Sequence, residues 1–236
     1  MTIWSILIAI VCSYLLGAFP YMLLLAHSKG MNFTHEEDLH LATWQKIGRL
    51  YGLSAVVIDI LKGVIPVIIC GILQFPAFTI MLCGLAAVCG QMWPFFRKFN
   101  GEKGNTTGLG VFVGISIIYE LPLFFFFGII PLAIGSLVRT TPRFMERHQT
   151  MNERFKLGGP PSNGMPIGML VTFICMPPLI GWLNGSLALV FGFIALFLLI
   201  TIRRLTAGIT DDIKTAKISV WRILFNRFLL DRSYWQ

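Results

Sequence analysis

Long apolar stretches alternate with short polar segments along this chain of 236 residues. A helix needs about 20 mostly apolar residues to cross a bilayer core, and somewhat fewer where protein neighbours shield an end. Pro122 and Pro131 interrupt the apolar stretch that holds the fourth and fifth candidates. The pattern predicts an all-α, polytopic membrane helix bundle of about seven transmembrane helices. The predicted spans are 3–27, 50–73, 77–96, 107–119, 121–138, 165–183 and 185–202.

The composition agrees with a membrane location. Hydrophobic residues make up 56% of the chain and charged residues 13%, whereas a soluble domain carries about 25% charged residues. Lipid must therefore cover much of the surface. The length fits a single domain, 1–236. The five cysteines show no paired short spacing, so neither disulfides nor a zinc site are expected.

The formal charge of +8 would suggest a nucleic-acid partner in a soluble protein, but its placement indicates membrane topology instead. If the loops after spans one, three and five and the tail 203–236 share one face, that face holds 18 of the 19 Lys and Arg residues. Positive residues are retained in the cytosol, so we predict an outside N-terminus and a cytosolic C-terminus. The segment 139–164 is polar and ends in Pro and Gly, which predicts a flexible cytosolic loop.

The segment 101–108 combines the features of an anion site before an apolar run. Gly101 and Gly104 let main-chain N–H groups approach an anion, and the start of a helix adds positive potential. Lys103 adds a point charge, while Thr106 and Thr107 add hydroxyl donors. The alternative is an ordinary turn whose lysine reaches toward the lipid headgroups.

Two further charged pairs stand out. Arg203 and Arg204 end the seventh span, where arginines are common topology anchors, but they could also hold a phosphate. Asp59 and Lys62 lie three residues apart inside the second span and hence on one helix face. Because charges are unfavourable in lipid, we expect this second pair to be joined, either as a structural pair or as part of a site.

The stretch 34–40 contains two histidines, His35 and His40, around three carboxylates. Their spacing of five misses the i, i+4 spacing that places two ligands on one helical face. We interpret this stretch as a solvated acidic loop and predict no metal site.

An ordered set of segments carries a family resemblance: 14–20, 59–63, 84–90, 93–96, 99–104 and 202–208. Together they resemble the bacterial acyl-phosphate:glycerol-3-phosphate acyltransferases, the PlsY-type family. The order, spacing and seven-span topology fit along most of the chain. The resemblance implies a multi-pass enzyme of the bacterial inner membrane that makes lysophosphatidic acid for phospholipid biosynthesis.

The resemblance also implies substrates and roles. Glycerol-3-phosphate would bind the Gly-rich loop, acyl phosphate would be the donor, and no metal, nucleotide or other cofactor would be needed. Lys103 and Arg204 would be catalytic by neutralising oxyanions on the two substrates. The resemblance assigns no role to Thr106 or Arg203. We include Thr106 in the substrate site because of its hydroxyl donor, and Arg203 because of its positive charge. The candidate substrate-binding residues are Gly101, Lys103, Gly104, Thr106, Thr107, Arg203 and Arg204.

The chain also departs from the family pattern. In the first loop, Glu36, Glu37 and Asp38 replace neutral donors and would repel a phosphate. The other departures are Gln91 for His, Glu102 for Gly, Leu198 for His and Thr201 for Asn. They leave a second hypothesis open, a catalytically altered or inactive homologue that binds lipid or anions at the membrane. The sequence leaves the oligomeric state open.

Overall fold

The structure is a computed structural model that describes residues 2–33, 36, 39–145, 163–215 and 219–231. Every element within these ranges is helical, which confirms the predicted all-α class. Two short turns, π-helical at Thr43–Ile47 and 3-10 at Phe95–Arg97, accompany the α-helices. The α-helices are α1 (Ile3–Ala18), α2 (Tyr21–Ser28), α3 (Leu39–Ala42), α4 (Arg49–Ile72), α5 (Ala77–Met92), α6 (Asn105–Ile118), α7 (Pro122–Met145), α8 (Gly164–Leu183), α9 (Leu187–Thr206), α10 (Ile209–Thr215) and α11 (Val220–Leu230).

Among the described residues, six helical segments are long and apolar enough to cross a membrane. They correspond to all the predicted spans except the fourth, which corresponds to α6. The first predicted span is not one continuous helix, because the chain leaves the helix at Phe19 and Pro20 between α1 and α2. At 14 residues, α6 is about 21 Å long by helical rise, short of the roughly 30 Å of a hydrocarbon core. The multi-pass helical class is thus confirmed, while seven crossings and the orientation of the termini remain predictions.

The fourth and fifth predicted spans are separate helices. After α6 ends, Glu120 adopts a left-handed conformation with φ of 51°, and the Leu121 N–H donates to the Ser116 carbonyl at 2.9 Å. Pro122 then begins α7, where a proline is favourable because the first helical N–H has no partner within the helix. The prolines therefore divide the apolar stretch at Pro122, whereas the chain continues as helix through Pro131.

The predicted loop 139–164 is wrong at its beginning, because α7 continues to Met145. The hydroxyls of Thr140 and Thr141 donate to the carbonyls of Ser136 and Leu137, at 2.9 and 2.7 Å. These polar side chains are thereby satisfied within the helix, which their composition alone did not indicate. The rest of the predicted loop, 146–162, lies outside the described residues.

The chain divides into two compact units, Met1–Leu121 and Pro122–Gln236. The expectation of one domain remains a prediction. In the first unit α4 packs directly on α6 through glycines. A Cβ on Gly63 would lie 2.1 Å from the Thr107 carbonyl oxygen, and one on Gly110 would lie 2.0 Å from that of Ile60. Small residues are what permit helix backbones to approach so closely in membranes.

In the second unit α7 packs against α8 in the same way, since a Cβ on Gly135 would lie 2.3 Å from the Gly164 carbonyl oxygen. The last helix, α11, carries apolar side chains on both its buried and its exposed side. Ile223 and Leu230 are buried, whereas Trp221 is 83% exposed and Phe225 63% exposed. This arrangement agrees with a surface helix at the headgroup level.

Candidate functional site

A buried carboxylate inside α4 organises the polar centre of the first unit. Asp59 is fully buried, and its Oδ1 lies 2.7 Å from the Nζ of Lys62. Lys62 is itself only 5% exposed. This contact confirms the predicted pairing of the two charges within a span. The pairing is expected because neither side chain could stay ionised in an apolar environment without a partner.

Gln91, near the end of α5, is the second member of this centre. It is 4% exposed, and its Nε2 donates to Asp59 Oδ2 at 2.7 Å. Its amide oxygen, Oε1, is buried and has no hydrogen-bond partner among the described residues. Buried polar atoms are nearly always bonded, so an unpartnered oxygen here calls for a physical explanation.

His40 joins the centre from α3, a short helix held in place by apolar packing. Leu39 and Ala42 on either side of His40 are buried in a cluster with Met22 and Phe33. The imidazole Nε2 lies 3.1 Å from Asp59 Oδ2 and 3.3 Å from an oxygen of Glu102. The interpretation of 34–40 as a solvated loop is therefore wrong for His40.

The remainder of that acidic stretch contributes differently. Glu36 pairs with Lys46 rather than with the polar centre. Thr34, His35, Glu37 and Asp38 lie outside the described residues. That Glu37 and Asp38 would repel a phosphate therefore stays a prediction.

His40 and Glu102 each shift the pKa of the other. Burial lowers the pKa of His40, but hydrogen bonds to Asp59 and Glu102 and their negative charges outweigh it and raise the pKa to about 10. Burial also raises the pKa of Glu102, an effect that the bond from His40 opposes and the Asp59 charge reinforces. The imidazole therefore carries a proton shared between two carboxylates.

The Gly-rich loop is fastened to the end of α5. The Gly101 N–H donates to the Met92 carbonyl at 3.0 Å, and the Glu102 N–H donates to the Gln91 carbonyl at 3.1 Å. A Cβ on Gly101 would lie 2.1 Å from that Gln91 oxygen, so only glycine fits. Gly104 has φ of 74°, a conformation that favours glycine, and leads directly into α6.

The predicted ligand residues of this loop differ in exposure. Lys103 and Thr106 are partly exposed, as a substrate-binding role requires. Thr107 is fully buried, and its hydroxyl donates to the main-chain carbonyl of Asp59 at 2.9 Å. The loop thus presents Lys103 and Thr106 outward while Thr107 ties its end to α4.

A small cavity of about 20 Å³ lies beside these groups in the first unit. Lys62, Gln91, Arg97 and Glu102 line it, together with residues 17–23. A cavity of this size has room for a single water-sized species.

In the second unit, Arg203 and Arg204 are both buried at the end of α9. Arg204 is 1% exposed, and its Nη1 lies 3.4 Å from the carbonyl oxygens of Pro166 and Phe228. Its Nε lies 3.9 Å from a carboxylate oxygen of Asp231. Arg227 on α11 donates in turn to the Arg204 carbonyl at 3.3 Å.

The predicted site residues therefore fall into two sets. Five belong to the loop and α6 start of the first unit, and the two arginines belong to the second unit; their substrate and catalytic roles remain predictions. Sequence reasoning missed His40, because its partners come from α4 and the Gly-rich loop, 19 and 62 positions away in the chain. One feature of the sequence could have indicated further partners: the charged Asp59 inside a span, which requires more partners than Lys62 alone supplies.

The comparisons with known proteins agree on one family. The sequence matches the model of the glycerol-3-phosphate acyltransferase family over residues 7–143, more than half of the chain. The glycerol-3-phosphate acyltransferase of Geotalea daltonii is 37% identical over 128 residues, 52% of this chain and 66% of that protein. The chain thus spans about two thirds of the length of that relative.

Two further relatives extend the coverage. The glycerol-3-phosphate acyltransferase of Geobacter sulfurreducens is 32% identical over 56% of this chain and 72% of its own length. Glycerol-3-phosphate acyltransferase 4 of Dehalococcoides mccartyi is 26% identical over 96% of this chain and 89% of its own length.

Among solved structures, the crystal structure of PlsY, an integral membrane glycerol 3-phosphate acyltransferase, in its lysophosphatidic acid form superposes with a TM-score of 0.64 at 22% identity. The match covers 94% of this chain and 99% of that chain, and at this identity it shows the fold. The extent of the family match and the relatives' identity together show that this multi-pass membrane protein belongs to the glycerol-3-phosphate acyltransferase family.

Proposed function

We propose that this chain transfers an acyl group from acyl phosphate to glycerol-3-phosphate, giving lysophosphatidic acid for phospholipid biosynthesis. The observation that carries the proposal is the Gly-rich loop of the first unit, which lies within the matched residues 7–143. Main-chain bonds fasten it to α5, and it leaves Lys103 partly exposed. Relatives named for glycerol-3-phosphate acyltransfer supply the substrate.

In the proposed reaction, the substrate hydroxyl oxygen of glycerol-3-phosphate attacks the acyl carbonyl carbon. A carbon–oxygen ester bond forms, the bond from the acyl carbon to the phosphate oxygen breaks, and the phosphate leaves with the electron pair while the hydroxyl proton passes to phosphate or water. Lys103 supplies positive charge to glycerol-3-phosphate. The resemblance assigns the same role toward acyl phosphate to Arg204, whose buried guanidinium would first have to become accessible. Holding both substrates at a membrane surface also orients the hydroxyl toward the acyl carbonyl, which raises the rate of the reaction.

The charge pattern and the relatives support a proposed cellular setting. The named relatives are bacterial, so the inner membrane of a bacterium is the proposed location. The one-sided distribution of Lys and Arg supports an outside N-terminus and a cytosolic C-terminus. The proposed protein is a single acyltransferase-like domain over 1–236 with cytosolic substrate loops.

The test is acyl transfer by purified protein in lipid nanodiscs, with lysophosphatidic acid measured by mass spectrometry. We expect product from acyl phosphate and glycerol-3-phosphate, and loss of at least about 100-fold in turnover for Lys103→Ala if its charge contributes as an oxyanion partner does. Lys98→Ala is the matched control, since Lys98 is a nearby exposed lysine outside the loop. Full turnover in Lys103→Ala would refute the residue's role.

Absence of product beside an active relative would refute the proposed reaction. The alternative of a lipid- or anion-binding homologue then predicts that either substrate still protects the protein from thermal unfolding. The relatives' names favour the enzyme.

A further inference from the structure

We propose that His40, Asp59, Glu102 and Gln91 form a binding site for one divalent metal ion of the Mn²⁺ type. One ligand atom from each of His40, Asp59 and Glu102 lies within 4.8 Å of the others. The residues come from α3, α4 and the loop before α6, so the site exists only in the folded chain.

The distances fit a coordination shell. Ligands at about 2.1 Å from a metal ion and 90–109° apart are separated by roughly 3.0–3.4 Å. His40 Nε2 lies 3.1 Å from Asp59 Oδ2 and 3.3 Å from Glu102 Oε2. A metal ion in place of the proton that these three atoms share would therefore need little movement of the side chains.

Gln91 supplies an independent indication. Its Nε2 is bonded to Asp59, which holds the amide at the cluster, and its buried Oε1 has no hydrogen-bond partner among the described residues. An amide oxygen is a usual ligand for hard cations. The cavity of about 20 Å³ next to Gln91 and Glu102 offers room for a water ligand.

The surroundings of the cluster resemble those of metal ligands. Lys62 lies 2.7 Å from Asp59 Oδ1, so the other oxygen of that carboxylate is turned toward His40 and Gln91. Ligating carboxylates are commonly held in place by such a second contact of their other oxygen. One imidazole among oxygen donors favours Mn²⁺ over ions that prefer sulfur or several nitrogens.

The charge balance gives the ion a role that rests on the proposed function. A divalent ion that takes the place of the imidazole proton adds one net positive charge beside the Gly-rich loop, next to Asp59, Glu102 and Lys62. Glu102, which by itself repels an anionic substrate, would then help to hold the ion that attracts one.

The experiment titrates chelator-treated protein in nanodiscs with Mn²⁺ and follows free Mn²⁺ by electron paramagnetic resonance. We expect one ion per chain and at least about tenfold weaker binding in Glu102→Gln and His40→Ala. Pulsed resonance should detect imidazole nitrogen coupling in the native protein and lose it in His40→Ala. Glu36→Gln is the matched control, since its carboxylate pairs with Lys46 outside the cluster, and it should bind normally.

Several results would overturn the proposed metal site. No binding up to millimolar Mn²⁺, native affinity in Glu102→Gln, or no nitrogen coupling would each overturn it. If His40→Ala unfolds, the Glu102→Gln titration and the nitrogen coupling of the native protein suffice. Acyl transfer is measured separately: product without ion binding overturns only the metal site, whereas ion binding without product overturns only the proposed reaction.

Discussion

The hydroxyl of Thr107 donates to the main-chain carbonyl of Asp59 at 2.9 Å. This bond joins the first turn of α6, directly after the Gly-rich loop, to the α4 residue whose carboxylate organises the polar centre. Thr107 is fully buried, whereas its neighbour Thr106 is partly exposed. Two adjacent threonines in the first turn of α6 are therefore expected to act differently.

Thr107→Val should lower the free energy of unfolding by about 1–2 kcal/mol, because a buried donor is lost without a change of shape. Thr106→Val should leave stability unchanged and raise the KM for glycerol-3-phosphate if Thr106 contacts it. Thermal unfolding in nanodiscs and steady-state kinetics provide the two measurements. Equal stability losses in both variants would contradict the distinction.

Gly63→Ala should destabilise the first unit by about 2 kcal/mol or more. The added Cβ would lie 2.1 Å from the main-chain oxygen of Thr107, and backbone cannot move aside as a side chain can. Gly71→Ala is the matched control in the same helix, since the three atoms nearest to its Cβ would be side-chain atoms of Ile118. We expect a smaller loss there, measured by thermal unfolding; the reverse order would contradict the close α4–α6 packing.

Apolar length was enough to predict the long apolar helical segments, since it acts locally along the chain. It did not predict the break between α1 and α2 or the short helices α3 and α10. The boundary at Pro122 and the pairing of Asp59 with Lys62 followed from the same principles. The extension of α7 to Met145 did not, because threonine hydroxyls that bond their own helix give no compositional signal. Local pattern therefore determines where a span begins more reliably than where its polar end stops.

The polar centre was predictable only in part. A charge inside a span indicates that it has partners, but the identity of these partners depends on which elements pack together. His40 reaches Asp59 because Leu39 and Ala42 bury α3 against residues of α2 and α4. Spacing rules for metal ligands assume one helix, and so they excluded a residue whose partners come from two other segments.

Asp59→Asn should lower the free energy of unfolding by about 3–5 kcal/mol, because it leaves the buried Lys62 without its counter-ion. Lys62→Met should be milder, since Asp59 keeps His40 and Gln91 as partners. The double variant should be more stable than Asp59→Asn alone, as the uncompensated charge is gone. Thermal or denaturant unfolding measures all three, and a double variant with strictly additive losses would show that the two charges do not depend on each other.

Arg227 joins α11 to the end of α9 in the second unit. Its guanidinium donates to the carbonyls of Arg204 and Ala207 and pairs with Asp212. Arg227→Ala should therefore lower the free energy of unfolding by about 2 kcal/mol, the range of a hydrogen bond to a charged group. It should also raise hydrogen exchange in α11 and at the end of α9.

Arg222→Ala serves as the control, because Arg222 lies exposed on the same helix. It removes the same charge from the same surface helix, so any effect of weaker attraction to anionic lipid is common to both variants. Faster exchange confined to Arg227→Ala would assign the effect to its carbonyl bonds. Equal exchange in both variants would instead show that α11 is held by the membrane surface rather than by Arg227.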